Sequence, residues 1–305
     1  MQKNILETII IGTGMSGLTA ALYASRKRMD YKIIAPDFGG QFLISGEILN
    51  YPGIVQTTGI ELKSVMEKQM EANQVKIINE FVEKVGKVGN NFKVITNRNE
   101  YITKSIIIST GSKARKLNVP GEEKFARRGV TYCSICDGPL FSNMEVAVIG
   151  GGASAMEAID FLKDICKKIY MIVLADKLIG HEYLQERTVN NSKVEILYKT
   201  KTKEILGNTL VSGIKIEQAG REKELNARGI IIEIGRIPNT EPFKNLLEFD
   251  KDGHIVVDCQ MQTNIPGIFA AGDVASGHEY QYIISAGQGC MALLKVARYL
   301  AGRRL

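Results

Sequence analysis

Short, largely apolar runs, each closed by glycine or another turn former, recur along this chain and set its first reading. Residues 7–11 (Glu7-Thr8-Ile9-Ile10-Ile11) form one such run, and it stops at Gly12. It is too short for a helix and apolar on successive positions, so it reads as a parallel strand buried on both faces. Residues 18–24 follow as an apolar helix, and residues 31–35 as a second strand. Residues 60–78 read as a helix followed by a strand. Residues 92–108 alternate in the manner of a hairpin and end in Ile106-Ile107-Ile108, which stops at Ser109-Thr110-Gly111-Ser112. Then the pattern restarts. Residues 146–149 predict a buried strand, 156–162 a core-packed helix, and 168–173, 194–197, 211–216 and 229–235 further strands. Residues 267–274 close a strand on Gly272-Asp273, and residues 285–300 predict an amphipathic helix opened by Gly287 and Gly289. Strands alternating with helices place the chain in the α/β class.

Composition narrows this only a little. At 305 residues the length favours two domains, and 45% hydrophobic with 24% charged residues is ordinary for a globular protein. No apolar run approaches the ~20 residues of a membrane span. The first run flows into a glycine loop rather than a cleavage site, so no signal peptide is expected. Five cysteines without framework spacing predict a reducing, cytoplasmic setting. The formal charge of +6 is interspersed; it suits an acidic protein partner or plain solubility. No basic run carries interleaved aromatics, so nucleic acid is not an expected partner.

Chemistry concentrates in three places. Gly12-x-Gly14-x-x-Gly17 sits between the first strand and the first helix. In that context it is the Rossmann fingerprint: Gly12 for the tight turn, Gly14 for close approach of a pyrophosphate, Gly17 for helix-on-strand packing. An acid that would hold a ribose hydroxyl is missing from the end of the second strand; Asp37 comes two residues late. Gly150-x-Gly152-x-x-Ala155 repeats the fingerprint with alanine in the tolerated third place. Between the two stands Cys133-Ser134-Ile135-Cys136-Asp137-Gly138. A C-x-x-C pair opens and closes a small ring reversibly, and an adjacent carboxyl group shuttles the proton that exchange moves. The competing reading is half a zinc site. It needs two more ligands, yet there is no second C-x-x-C, and His181, His254 and His278 form no H-x3-5-H pair. No metal is expected. Cys166, Cys259 and Cys290 read as core, His181 as solvated, and His278 as solvated or touching the cofactor ring.

The order G-x-G-x-x-G, G-G-Q, N-Y-P-G, S-T-G, C-x-x-C-D-G, G-x-G-x-x-A, G-x-x-P-N-T, G-D-V and S-A-G-x-G-C resembles low-molecular-weight thioredoxin reductases over essentially the whole chain. The resemblance implies two Rossmann-like, three-layer ββα nucleotide-binding domains. An FAD domain (1–113 and 243–305) would be interrupted by an inserted NAD(P)H-binding-like domain (114–242) that carries the dithiol. It implies that Gly12, Gly14 and Gly17 hold the FAD pyrophosphate. Gly40, Gln41 and Asn50 would line the flavin, and Thr110 and Gly111 the nucleotide half. Asp273 would take the ribityl chain and Gln281 would match the glutamine of an R-Q-A segment, which reads Tyr280-Gln281-Tyr282 here. Gly150 and Gly152 would form the second nucleotide loop. Cys136 would be the flavin-side sulfur, Cys133 the attacking one and Asp137 the general acid. The dithiol cannot face flavin and partner at once, so the domains would rotate about crossings near 113 and 242. A homodimer and a thioredoxin-like substrate are implied as well.

One departure stands out. NADPH-using members carry H-R-R-x-x-x-R after the strand that ends near Val173, and this chain reads Val173-Leu174-Ala175-Asp176-Lys177-Leu178-Ile179-Gly180. Each lost guanidinium–phosphate hydrogen bond costs roughly 1.5–3 kcal/mol. NADPH is therefore not expected in the usual mode. NADH, reduced ferredoxin and a reduced deazaflavin remain open as donors, beside weak NADPH use. The rival readings are a dithiol oxidase or peroxide-system reductase on the same scaffold, and a flavin redox sensor with poor turnover.

Overall fold

The computed structural model describes residues 5–44, 47–48, 50–277 and 280–303, with the side chains of Ile44, Glu47 and Cys136 outside that description. The chain divides into two compact units: residues 1–113 with 237–305, and residues 114–236. The return crossing thus falls before the 242 expected from the sequence, and Asn239 shows why. Its backbone N–H donates to Gly111 O at 2.9 Å, its side-chain amide donates to Thr110 O at 2.9 Å, and its carbonyl accepts from Thr110 Oγ1 at 2.8 Å. Asn239 belongs to the first unit.

The first unit is built on a five-stranded parallel sheet. It contains β1 (Thr8–Ile11), β2 (Tyr31–Ala35), β3 (Ile77–Asn79), β4 (Ile106–Ile108) and the strand Ile268–Ala270. The order runs from Ile268–Ala270 through β4, β1 and β2 to β3. Side chains alternate between its faces. Ile10 and Ile107 pack with α1 (Met15–Arg26) and the C-terminal helix Tyr282–Gly302. Ile9, Ile11, Ile106 and Ile108 meet Val82, Val85, Phe92 and Val94 from an antiparallel sheet on the other side. That sheet comprises Val82–Val88, Asn91–Thr96 and Glu100–Thr103, with Ile5–Leu6 added in parallel. Helices, parallel sheet and antiparallel sheet make three layers.

The second unit repeats the plan. Its parallel sheet contains β5 (Val130–Thr131), β6 (Glu145–Ile149), β7 (Lys168–Ile172), β8 (Val194–Leu197) and β9 (Gly229–Ile232), in the order β5-β9-β6-β7-β8. A four-residue helix, α2 (Ser134–Asp137), follows β5, and α3 (Ala153–Leu162) packs Met156, Ile159 and Leu162 on one face of the sheet. Thr200–Gly207, Val211–Gln218 and Arg221–Asn226 form the antiparallel layer on the other face. Among the described residues, no helix is long and apolar enough to cross a membrane.

The longest strands to escape the sequence reading are Val82–Val88, Thr200–Gly207 and Arg221–Asn226. Each buries only some of its residues and carries charged ones among the rest, so no apolar run marks it. Gly287 and Gly289 do not open the last helix, which begins at Tyr282. A methyl group at Gly289 would lie 2.1 Å from Ser16 O; glycine there lets that helix rest on the start of α1.

Candidate functional site

In an open parallel sheet, ligands bind beyond the carboxyl ends of the strands. In the first unit those ends border a cleft of about 460 Å³, whose wall includes Gly12, Gly14, Gly40, Thr110, Gly111 and Asp273. The glycine loop is shaped by close approach. Gly12 has φ +109°, and a methyl there would stand 2.2 Å from Ser109 O; one at Gly17 would stand 2.0 Å from Gly12 O. Both glycines are therefore needed for backbone packing, and Gly17 itself does not line the cleft. Gly14 caps α1 and faces open space. The free N–H groups of that helix start are suited to a phosphate.

The rest of the wall mixes hydroxyl groups with the carboxyl groups of Asp37, Glu80, Glu241 and Asp273. Gln41 Nε2 donates to Ser112 O at 3.1 Å, and Ser112 Oγ and Ser285 Oγ each lie 3.5 Å from one oxygen of Asp273. Thr13 Oγ1 donates to Asp37 O at 2.6 Å, and Asp37, two residues past β2, does line the cleft. Glu80 also lines it, buried, with Thr96 Oγ1 at 2.6 Å, Asn99 Nδ2 at 2.6 Å and Tyr101 OH at 3.1 Å. Burial opposes its charge, but the three donors outweigh that and hold its carboxyl below the ordinary range. Asn50 Nδ2 donates to Gln281 Oε1 at 3.2 Å, and neither residue is part of the wall; the neighbouring Tyr282 is. His278 lies outside the described residues. Ser109, which the sequence marks only as part of a turn, is informative: its Oγ is buried at the cleft and has no hydrogen-bond partner among the described residues. A buried hydroxyl calls for a partner. An oxygen-rich dinucleotide on the Gly14 cradle would supply one, so these residues fit FAD.

The second glycine loop copies the first bond for bond. Gly150 N donates to Ile172 O at 3.0 Å, as Gly12 N does to Ile34 O at 2.9 Å. Gly150 has φ +145°, and a methyl there would stand 2.1 Å from Glu233 O. Gly152 caps α3 and faces open space. The flanking chemistry differs. Burial pushes the Glu233 carboxyl up to about 7; Arg236 opposes this and Glu157 adds to it. The segment that replaces the arginine motif folds onto the loop, with Ile179 N donating to Gly151 O at 2.8 Å; Asp176 and Lys177 are exposed.

The dithiol segment leaves the sheet at β5. Cys133 is disulfide-bonded, whereas Cys166, Cys259 and Cys290 are free. The side chain of Cys136 lies outside the described residues. Asp137 N donates to Cys133 O at 3.3 Å, closing the turn of α2. Thr131 Oγ1 donates to Asp137 Oδ2 at 2.5 Å and accepts from Cys133 N at 3.1 Å. Tyr132 OH donates to the buried Glu122 at 2.6 Å, and Glu122 also accepts Leu117 N and Asn118 N. Burial, then this bond, pushes the Tyr132 phenol up. Of the other cysteines only Cys166 is core; Cys259 is exposed and Cys290 half-buried, on a helix flank rather than in the interior.

Two dinucleotide-type folds, a hydroxyl-lined cleft and a cysteine disulfide next to a carboxyl group together define a flavin-dependent disulfide oxidoreductase. The chain belongs to the pyridine nucleotide-disulphide oxidoreductase family, whose pattern matches residues 6–298. It is 37% identical to a thioredoxin reductase of Listeria monocytogenes, over 98% of this chain and 95% of that one. It is equally identical, at 37%, to an alkyl hydroperoxide reductase protein of Staphylococcus aureus, over 98% of this chain but only 60% of that protein. The chain thus spans less than two thirds of that relative's length. Among solved structures, Lactococcus lactis thioredoxin reductase (FR conformation) superposes with a TM-score of 0.80 at 36% identity, covering 97% of this chain and 99% of the other.

Proposed function

We propose that this chain passes two electrons from a donor to the disulfide of a thioredoxin-like protein by way of a Cys133–Cys136 dithiol. The observation that carries the reading is the Cys133 disulfide beside Asp137, in a chain whose other unit holds the FAD-type cleft. FAD supplies a two-electron store when bound. Gly12, Gly14 and Gly17 shape its cradle, and Ser109, Gln41 and Asp273 offer it polar groups. Cys133 as thiolate attacks the partner disulfide, and Cys136 attacks Cys133 in turn, releasing the reduced partner. Asp137 gives a proton to the departing thiolate.

The donor is read from the second loop. Leu174, Ala175 and Ile179 stand where a phosphate clamp needs arginine, and Asp176 adds a carboxyl group to that segment. This favours NADH, reduced ferredoxin or a reduced deazaflavin over NADPH; the family resemblance adds a homodimer as the working form. A second reading, the reductase of a peroxide-removing system, is favoured by the match to the alkyl hydroperoxide reductase protein.

The test is anaerobic mixing of the flavin-loaded protein with each donor in turn, following flavin bleaching and then multiple-turnover reduction of thioredoxin. Cys136→Ser is expected to bleach with the productive donor and reduce no thioredoxin. Full thioredoxin turnover by that variant would remove the dithiol assignment.

A further inference from the structure

We propose that Thr131 is the positioning residue for proton transfer at the dithiol. The proposal rests on the disulfide-reductase reading above and adds a residue to it. Thr131 ends β5 and is buried. Its Oγ1 touches three groups: Asp137 Oδ2 at 2.5 Å, Cys133 N at 3.1 Å and Cys133 O at 3.3 Å. The two contacts to Cys133 are what a threonine turn would make on its own. The contact to Asp137, six positions on and across α2, is not part of any turn; it ties the acid to the backbone of the attacking cysteine.

A hydroxyl has one proton to give and two lone pairs. With Asp137 as carboxylate, Thr131 donates to Oδ2 and accepts from Cys133 N. With Asp137 protonated on Oδ1, Thr131 keeps the same two bonds, to Oδ2 and from Cys133 N, and Oδ1 carries the proton that is given up. Both protonation states are satisfied with no heavy atom displaced. The carboxyl group is therefore held in one place before and after it gives up its proton. In the step itself, Cys133 thiolate attacks one sulfur of the target and a new S–S bond forms. The target S–S bond breaks, and the departing thiolate takes the proton from Asp137, leaving as a thiol. Solvent then returns a proton to the Asp137 carboxylate. Valine fills the same volume but holds nothing; serine keeps the hydroxyl.

The test exploits the leaving group. A nitrobenzoate aryl disulfide releases a stable thiolate that needs no proton, whereas hydroxyethyl disulfide releases an alkyl thiolate that does. The flavin-loaded protein, carrying Cys259→Ser and Cys290→Ser to silence the other accessible thiols, is reduced, freed of reductant under anaerobic conditions and mixed with each reagent. Thr131→Val is expected to slow exchange with hydroxyethyl disulfide about tenfold, a part of what general acid catalysis supplies. It should leave the aryl exchange within about twofold. Thr131→Ser should match the parent. Asp137→Asn should show the same selectivity with a larger loss, and adding Thr131→Val to it should change nothing more. Equal slowing of both reagents by Thr131→Val, an unchanged alkyl rate, or a loss that persists in the Asp137→Asn background would each overturn the proposal. If the parent protein exchanges with neither reagent, the dithiol reading itself falls, and this inference with it.

Discussion

The two glycine loops share one backbone and differ in what stands behind it. In each, the residue that follows a buried strand turns its carbonyl onto the first glycine: Ser109 after β4, Glu233 after β9. Their amides make the same bond as well, Ser109 N to Ile11 O and Glu233 N to Ile149 O, both at 2.8 Å. In the first loop the equivalent side chain is a small hydroxyl at the cleft wall, with no partner among the described residues. In the second it is a carboxyl group that burial pushes up to about 7, with Glu157 close enough to push it further. Backbone geometry makes either loop a phosphate cradle. The side chain behind the first glycine is a hydroxyl in one loop and a carboxyl group in the other, so the two cradles offer a ligand different partners.

The largest effect expected from this comparison comes from adding one methyl group to each loop. Gly12→Ala places a carbon about 2 Å from a main-chain carbonyl at a positive φ, a conflict of several kcal/mol that the loop relieves only by moving. The purified variant is expected to hold under about a tenth of the parent's flavin per chain, measured by absorbance. Gly150→Ala meets the same clash against Glu233 O yet should keep its full flavin complement. Equal flavin loss in both variants would break the assignment of the first loop to FAD.

A smaller effect comes from Glu233. Its folded value of about 7 lies above the ordinary 4.5, so between those limits the native state holds a proton that the unfolded chain has lost. Stability therefore falls as pH rises through that window and levels off above it. Glu233→Gln removes the slope. Relative to the parent, the variant should gain on the order of 3 kcal/mol between pH 5 and pH 8 in urea unfolding. Parallel pH profiles would show that Glu233 is solvated, and the contrast between the loops would then reduce to steric shape.

How much of this was legible in the sequence follows from what a linear pattern records. The runs at Ile9–Ile11 and Ile106–Ile108 marked strands because burial on both faces leaves no polar position to blur them. The strand Thr200–Gly207 was invisible because only Thr200, Thr202 and Ile205 are buried in it, and two of those three are polar. Both glycine loops were legible because backbone close approach admits so few residue types. Thr131 and Ser109 were not, since a hydroxyl's role depends on what the fold brings to it: Asp137 in one case, and in the other no partner among the described residues. Asn50, read as lining the flavin, and Gln281, read as the glutamine of an R-Q-A segment, bond each other, a pairing between positions far apart in the chain that no local motif encodes.

Ser109 gives the finest test of the contrast. Its hydroxyl meets no partner among the described residues, so Ser109→Ala should leave the flavin-free protein as stable as before, or slightly more so, because a desolvated polar atom has been removed. If FAD provides the missing partner, the same change weakens flavin binding by about 1 kcal/mol, roughly fivefold in Kd. Flavin fluorescence titration of the apoprotein measures the second quantity and thermal unfolding of the apoprotein the first. A structural hydroxyl would reverse the pattern, with Tm falling and Kd unchanged. The pair of measurements therefore separates a group that waits for a ligand from one that braces the turn. The corresponding comparison at Glu233, where the side chain is an acid rather than an orphaned hydroxyl, should show no such ligand-dependent split for FAD.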